Sequence, residues 1–323
     1  MQYLIGTDEA GYGPNLGPLV VSATAWEVPE DVGADELYQR LAEVVVPAPG
    51  RVAEDPAARV AMADSKALYK PGQGLRHLER GLWAACALWD EPPKTWWEVW
   101  ERLAPDAVGD LRAIPWYADY DAPTPLDADP AELQPLGPAF QNALAGAGVR
   151  LLELRSRAVF PGRFNELVER LGTKGAALSH LTLDLAARLM EPLPQGPIRV
   201  ICDKHGGRNR YGKLLAEHFP DALIEIYGEG RRQSVYRFGP PSRRVEFRFQ
   251  TKAESCLPAA LASMASKYLR ELAMRALNAF WCRRVAGLRP TAGYPQDAKR
   301  FKAAIADVQA ELEIEDRTLW RTR

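Results

Sequence analysis

Hydrophobic and polar positions alternate along the chain in two rhythms. Tyr3 to Thr7 is a short apolar, β-prone run leading into Asp8-Glu9, and Leu19 to Trp26 is a second such run. Between them lies the turn-forming stretch Gly11-Tyr12-Gly13-Pro14-Asn15-Leu16-Gly17-Pro18, so the pair predicts an antiparallel hairpin. From Leu75 to Trp89 apolar residues recur at helical spacing (Leu78, Leu82, Ala85, Leu88). Arg155 to Phe160 predicts a strand. Phe164 to Met190 predicts helix, broken near Gly172 and Gly175. Ile198 to Cys202 is a near-continuous apolar strand ending at Asp203, and Leu223 to Tyr227 is another strand. Val235–Phe238 and Val245–Phe249 flank Gly239-Pro240-Pro241-Ser242 and predict a hairpin. Ala259 to Val285 and Phe301 to Leu312 predict helices, and no internal repeat is present. A strand hairpin followed by alternating helices and strands predicts an α/β fold, a mixed β-sheet flanked by helices.

The stretch 90–148 departs from these rhythms. It is rich in Pro, Asp, Ala and Trp, with one short helix expected within Glu91–Leu103 and a loop-like run from Tyr117 to Pro138. It reads as an acidic, Trp/Pro-rich insertion whose tryptophans pack against the main body. The whole chain, 1–323, then reads as one domain with insertions at 90–148 and, as a basic hairpin, at 229–250.

Composition is that of a soluble globular protein, and the net charge of −1 favours no class of partner. Its distribution says more. Asp90 to Glu132 is strongly acidic and Lys204 to Arg248 is basic, which points to a local face meeting a polyanion. The N-terminus has neither a basic n-region nor an apolar h-region, and no stretch approaches the length of a membrane helix. A cytoplasmic monomer with no membrane partner is expected. Cys86, Cys202, Cys256 and Cys282 form no CxxC pair and sit in apolar surroundings, which excludes a disulfide framework and argues against a zinc site.

Asp8, Glu9 and Asp203 stand at the ends of apolar strands. A carboxylate there costs desolvation unless it is paired or bound to a cation, and hard divalent cations prefer oxygen ligands. Adjacent strand residues point to opposite faces, so Asp8 and Glu9 can share one centre only if the chain twists, which Gly11 and Gly13 would permit. Each of these residues alone also fits an ordinary turn or helix cap.

Five ordered segments carry a resemblance. Ile5-Gly6-Thr7-Asp8-Glu9-Ala10-Gly11-Tyr12-Gly13-Pro14 to Val20 is similar to the ribonuclease HII opening G-x-D-E-A-G-R-G-P-x-x-G-P-V-V, with Tyr12 in place of Arg. Asp64-Ser65-Lys66 resembles D-S-K-x-L. Val200-Ile201-Cys202-Asp203 resembles a strand ending in D-G, with Lys204 in place of Gly. Lys252-Ala253-Glu254, then Ala262 to Glu271, resembles K-A-D followed by A-S-I-L-A-K-V-x-R-D, with one residue fewer between the parts. Gly293-Tyr294-Pro295 resembles K-G-Y-P-T, and Asp316 to Trp320 is a weaker echo of H-R-x-S-F.

The resemblance implies an RNase H-like fold and a diverged endonuclease using two Mg²⁺ or Mn²⁺ ions. Its substrate would be the RNA strand of RNA–DNA hybrids, or ribonucleotides embedded in duplex DNA, leaving a 3′-hydroxyl and a 5′-phosphate. It implies Asp8, Glu9, Asp203 and Glu254 as catalytic metal ligands, with Glu271 as the substitute should the register of Glu254 be shifted. It further implies Gly11, Tyr12 and Gly13 as the turn that approaches the phosphodiester and senses the 2′-hydroxyl. Ser65, Lys66 and Lys267 would be phosphate contacts, and Tyr294 would pack on the neighbouring sugar. His205, Arg208, Arg210 and Lys213 then read either as a surface loop or as a substrate-binding loop, extended by the arginines between Arg231 and Arg248. Two other readings stay open. One is an RNase H-like nucleic-acid-binding protein with weakened catalysis; the other is a partner-binding protein using the 90–148 segment.

Overall fold

Strand β1, Gln2–Ala10, is the sheet's second-innermost strand and is buried on both faces through Thr7, as its unbroken apolar run demands. The computed structural model describes residues 1–50, 59–70, 72 and 74–322. β1 pairs antiparallel with β2, Leu19–Val28. Two short strands, β3 (Val45–Val46) and β4 (Val60–Ala61), pair apart from the main sheet. The main sheet continues with β5 (Arg150–Val159), β6 (Ile198–Asp203), β7 (Glu225–Glu229), β8 (Gln233–Phe238) and β9 (Val245–Gln250). Its order is β5-β2-β1-β6-β9-β8-β7, with β1–β6 and β6–β9 parallel and the remaining pairs antiparallel. This is a mixed α/β sheet with helices on both faces.

The parallel pairing matters most for the site. Thr7 lies opposite Cys202, so the ends of β1 and β6 come level, and Asp203 of β6 lies opposite Gln250 of β9. The segment after β9 therefore arrives at the same edge.

One face is covered by the long helix Leu257–Cys282, whose Ala-rich surface lets it lie against β1. A Cβ built at Gly6 would stand 2.2 Å from the backbone of Pro258 and Ala259, so only glycine permits this contact. A buried polar seam locks the register: the Ser266 hydroxyl lies 3.0 Å from the Asp8 carbonyl oxygen and 2.8 Å from Ser22 Oγ, which in turn is 2.7 Å from Ser156 Oγ. The opposite face packs Tyr3, Ile5, Val200 and Cys202 against the helix Lys174–Met190. The preceding helix, Pro161–Leu171, stops at Gly172 in the left-handed conformation, and Thr173 caps the next, which places the break near its expected position.

The 90–148 stretch is more helical than its sequence suggested. Leu136–Gly146 is a helix, and Pro130–Leu133 forms one turn inside the run expected to be loop. Asp129-Pro130-Ala131-Glu132 is a capping box with Pro at the first helical position, a start signal outweighed by the surrounding Pro and Asp. Trp96, Trp100 and Trp116 are buried against the long helix, and Trp96 Nε1 donates to the Leu272 carbonyl oxygen at 3.3 Å, so these rings are packing residues. Among the described residues no helix is long and apolar enough to cross a membrane, and all four cysteines are free thiols.

Candidate active site

β1 runs straight through Asp8, Glu9 and Ala10, which pair with Ser22, Val21 and Val20. The expected twist at Asp8-Glu9 does not occur, because the glycines come only after the ladder has ended. Alternation puts Asp8 on the face of the long helix, where the Ser263 side chain hydrogen-bonds its carboxyl. Glu9 starts from the other face, but at the sheet edge it still senses Asp203, Lys66 and Glu254. Asp203 receives the backbone amides of Lys204, Ala253 and Lys252. Glu254 sits in the single turn Ala253–Ser255, entered through Lys252 at φ 61°. That left-handed residue reverses the chain after β9 and carries Glu254 back toward Asp203.

All four carboxyl groups are held above their ordinary range. Burial is the main cause for each. Glu9 adds to it for Asp8, and Asp203 adds to it for Glu254 and for Glu9, which is pushed up to about 7. The main-chain amides around Asp203 offset part of this. The nearest cation is Lys66, whose ammonium is held above its usual range by Asp64 first, and then by Asp8, Glu254 and Asp203. One lysine facing four partly desolvated carboxylates leaves net negative charge that a divalent cation would offset. The all-oxygen donor set suits Mg²⁺ or Mn²⁺. Among the described residues, however, no three His, Cys, Asp or Glu side chains stand in a metal-holding arrangement. The four groups share one edge without having closed on a common point.

Glu271 is elsewhere. It is bound to Lys267 at 2.5 Å and accepts from the Tyr69 hydroxyl at 3.0 Å. Lys267, expected at a phosphate, is taken up by this contact and by the Tyr69 ring, 4.3 Å from its ammonium. Ser65 is buried, with its hydroxyl 3.1 Å from Ser263 Oγ; it braces the serine beside Asp8 instead of facing solvent.

The glycine turn follows β1 directly. Gly11 has φ +88°, and a Cβ there would stand 2.4 Å from the Pro18 carbonyl oxygen; a Cβ at Gly13 would meet nothing within 4 Å. Tyr12 packs toward the start of helix Lys174–Met190, with Lys174 Nζ 5.2 Å from its ring centre and its hydroxyl near Gly206. Tyr294 is 58% exposed beside this turn, because the amides of Asn15 and Leu16 donate to the Gly293 carbonyl oxygen at 2.8 and 3.3 Å.

The basic segment serves the fold more than a surface. His205 is buried, 3.0 Å from Ser179 Oγ, and burial pushes its imidazole down to about 3. Lys204 turns inward to the carbonyl oxygens of Arg208 and Gly230, Asn209 Oδ1 and Ser234 Oγ, which ties the loop to the β7–β8 turn. Arg237 and Arg248 both bind Glu246, Arg244 binds Glu225, and Arg243 donates to main-chain carbonyls near Met190. Arg237 and Arg248 share Glu246 with Arg199, so the hairpin's arginines are tied down by the fold without being neutralised one for one.

Two buried residues escaped the sequence reading. Arg270 Nη1 donates to the Pro18 carbonyl oxygen at 3.0 Å, and its Nη2 donates to that of Ala292 at 2.9 Å. Arg321 Nη2 donates to the carbonyl oxygens of Gly11, at 2.5 Å, and Pro14. No local pattern marks either arginine, since both act across long sequence distances.

No protein-family model matches the chain, and no curated protein matches it in sequence. Over nearly its whole length the chain is similar to solved structures of ribonucleases HII and HIII. One is RNase HII in the PCNA:RNase HII complex from Archaeoglobus fulgidus, at 14% identity, 99% of this chain, 94% of that chain and TM-score 0.42. A second is ribonuclease H2 from Pyrococcus horikoshii OT3, at 15% identity, 98% and 92% coverage and TM-score 0.43. A third is Bst-RNase HIII in complex with Mn²⁺, at 14% identity, 99% and 66% coverage and TM-score 0.40.

Proposed function

We propose that the protein is a divalent-metal-dependent endonuclease cutting the RNA strand of RNA–DNA hybrids, or ribonucleotides embedded in duplex DNA. The observation that carries this reading is the meeting of Asp8, Glu9, Asp203 and Glu254, from three separate chain segments, at one sheet edge. Lys66 and the glycine turn lie beside them. Carboxyl groups gathered where burial disfavours their charge are costly to keep unless they hold cations.

Asp8, Glu9, Asp203 and Glu254 would hold the metal ions, which supply an activated water and charge stabilisation at the leaving oxygen. Ser263, hydrogen-bonded to Asp8, and the amides around Asp203 orient those carboxylates and offset part of the cost of their burial. Lys66 offers a cation to a phosphate at the same edge. Gly11 to Gly13 let the backbone approach the phosphodiester without a side chain in the way. Tyr294, exposed beside the turn, offers a flat face for a sugar.

The test is cleavage of a labelled RNA–DNA hybrid and of a duplex with one ribonucleotide, in Mg²⁺ or Mn²⁺, for the wild type beside Asp8→Asn. Metal-dependent cleavage lost in the variant is expected. No cleavage by the wild type, or equal cleavage by both, defeats the proposal. A second reading, binding with weakened turnover, draws on the placement of Asp8 and Glu9 on opposite strand faces. It predicts tight duplex binding by the wild type without multiple turnover.

A further inference from the structure

The last residues of the described chain do not trail into solvent. Asn165 Nδ2, on helix Pro161–Leu171, donates to the Trp320 carbonyl oxygen at 2.9 Å, and its Oδ1 accepts from the Thr322 amide at 2.8 Å. On the other side, the Arg321 amide donates to the Asn15 carbonyl oxygen at 2.8 Å, and Asn15 Nδ2 donates to the Arg321 carbonyl oxygen at 3.0 Å. Trp320 forms a bridge with Leu16. The segment 320–322 is thus an extended piece, joined by one β-bridge and four side-chain or main-chain hydrogen bonds, laid between that helix and the Gly11–Pro18 turn.

Arg321 is 1% exposed and its guanidinium enters the turn. Its Cζ lies 4.8 Å from the centre of the Phe164 ring, and its Nη2 binds the carbonyl oxygens of Gly11 and Pro14. Among the described residues its Nε and Nη1 have no hydrogen-bond partner. A buried cation left this incompletely satisfied is an expensive way to close a loop, and a hydrophobic residue would close it at lower cost. Arg270 works from the other side on the carbonyl oxygens of Leu16 and Pro18. Four carbonyl oxygens of the turn are therefore drawn inward by two guanidinium groups. No described group accepts from the amides of Tyr12 and Gly13, and a Cβ at Gly13 would project into open space. The Gly11 oxygen shares its peptide unit with the Tyr12 N–H, which points to the opposite side, so this contact aims one donor at an arriving anion; the Pro14 unit carries the Asn15 N–H, which already donates to the Gly293 oxygen.

We propose that Arg321 is a positioning residue for the substrate phosphodiester, holding the glycine turn from behind through the carbonyl oxygens of Gly11 and Pro14. The inference rests on the nuclease reading for the identity of that anion. It makes the segment 320–322 a structural part of substrate binding and leaves the carboxylates to other elements.

The full-length Arg321→Ala and Arg321→Lys variants test this in three measurements. Amide hydrogen exchange should rise at residues 11–17 in Arg321→Ala and stay unchanged along β6. KM for the single-ribonucleotide duplex in Mn²⁺ should rise about tenfold or more with kcat little changed, as expected for contacts made equally in ground and transition states. Mn²⁺ affinity should match the wild type. Arg321→Lys keeps the charge and part of the donor set, so it should recover part of the KM loss; this arm decides the matter if the alanine variant does not fold. Unchanged KM, or KM and Mn²⁺ affinity weakening together, overturns the positioning role. Unchanged exchange at 11–17 overturns the clamp while leaving the nuclease reading intact. Failure of the wild type to cleave either duplex overturns the nuclease reading and the role of Arg321 toward substrate, whatever the exchange data show.

Discussion

Two patches of buried charge border the same turn and are handled in opposite ways. Before it, Asp8 and Glu9 join Asp203 and Glu254, all four raised first by burial, and Asp203 adds to this for the other three. Behind it, Arg270 and Arg321 are buried more deeply, yet main-chain carbonyl oxygens solvate them. Around this turn the cations find main-chain partners, Arg321 only in part, while the four carboxylates face a single lysine. This is what separates a brace from a binding site: charge satisfied within the fold rigidifies it, and charge left unsatisfied at an edge recruits a ligand.

The largest effect on this comparison should come from Arg270→Met. It strips a partner from the carbonyl oxygens of Leu16, Pro18 and Ala292. Unsatisfied buried groups cost about 1–3 kcal/mol each, so a loss of roughly 3–5 kcal/mol is expected by denaturant unfolding. A loss under about 1 kcal/mol would mean that the guanidinium is not the brace described.

A smaller effect separates the anionic patch. Glu9 holds its proton up to about 7 in the folded chain, above the ordinary glutamate range. A raised carboxyl group contributes stability below its unfolded value, near pH 4.3, and loses it as pH climbs through the folded one. In metal-free buffer Glu9→Gln should therefore melt with the wild type near pH 4 and progressively above it by pH 8, with Mn²⁺ narrowing the gap by stabilising the wild type. A Tm difference that is flat in pH, or of opposite sign, counts against the electrostatic description. The smallest effect belongs to Lys204→Ala, which releases the loop from Gly230 and Ser234. About 1 kcal/mol of stability should go, with little change in Mn²⁺ affinity. A large loss of metal affinity would instead place Lys204 in the metal centre.

Much of this was readable in advance. Periodicity located the hairpin, the β6 strand ending at Asp203 and the two long helices, because each buries a continuous apolar face. The strand-end position of Asp8 and Asp203 was also legible. Which of Glu254 and Glu271 lies near Asp203 was not, since that depends on the left-handed Lys252 and on Tyr69 and Lys267 engaging Glu271. Cationic character misled at Lys204 and Arg248, whose partners Ser234 and Glu246 lie across strand pairings that no local pattern reveals. Arg321 was missed for the same reason: its contacts with Gly11 and Pro14 span nearly the entire chain.

The most direct measurement of the central claim is a calorimetric titration of the metal-free protein with Mn²⁺, beside Asp203→Asn. Saturable binding by the wild type, weakened by at least about tenfold in the variant, is the predicted result, because Asp203 is the carboxylate through which Asp8, Glu9 and Glu254 are all coupled. No saturable binding, or equal affinity in both proteins, would show that the acidic edge is not a metal centre.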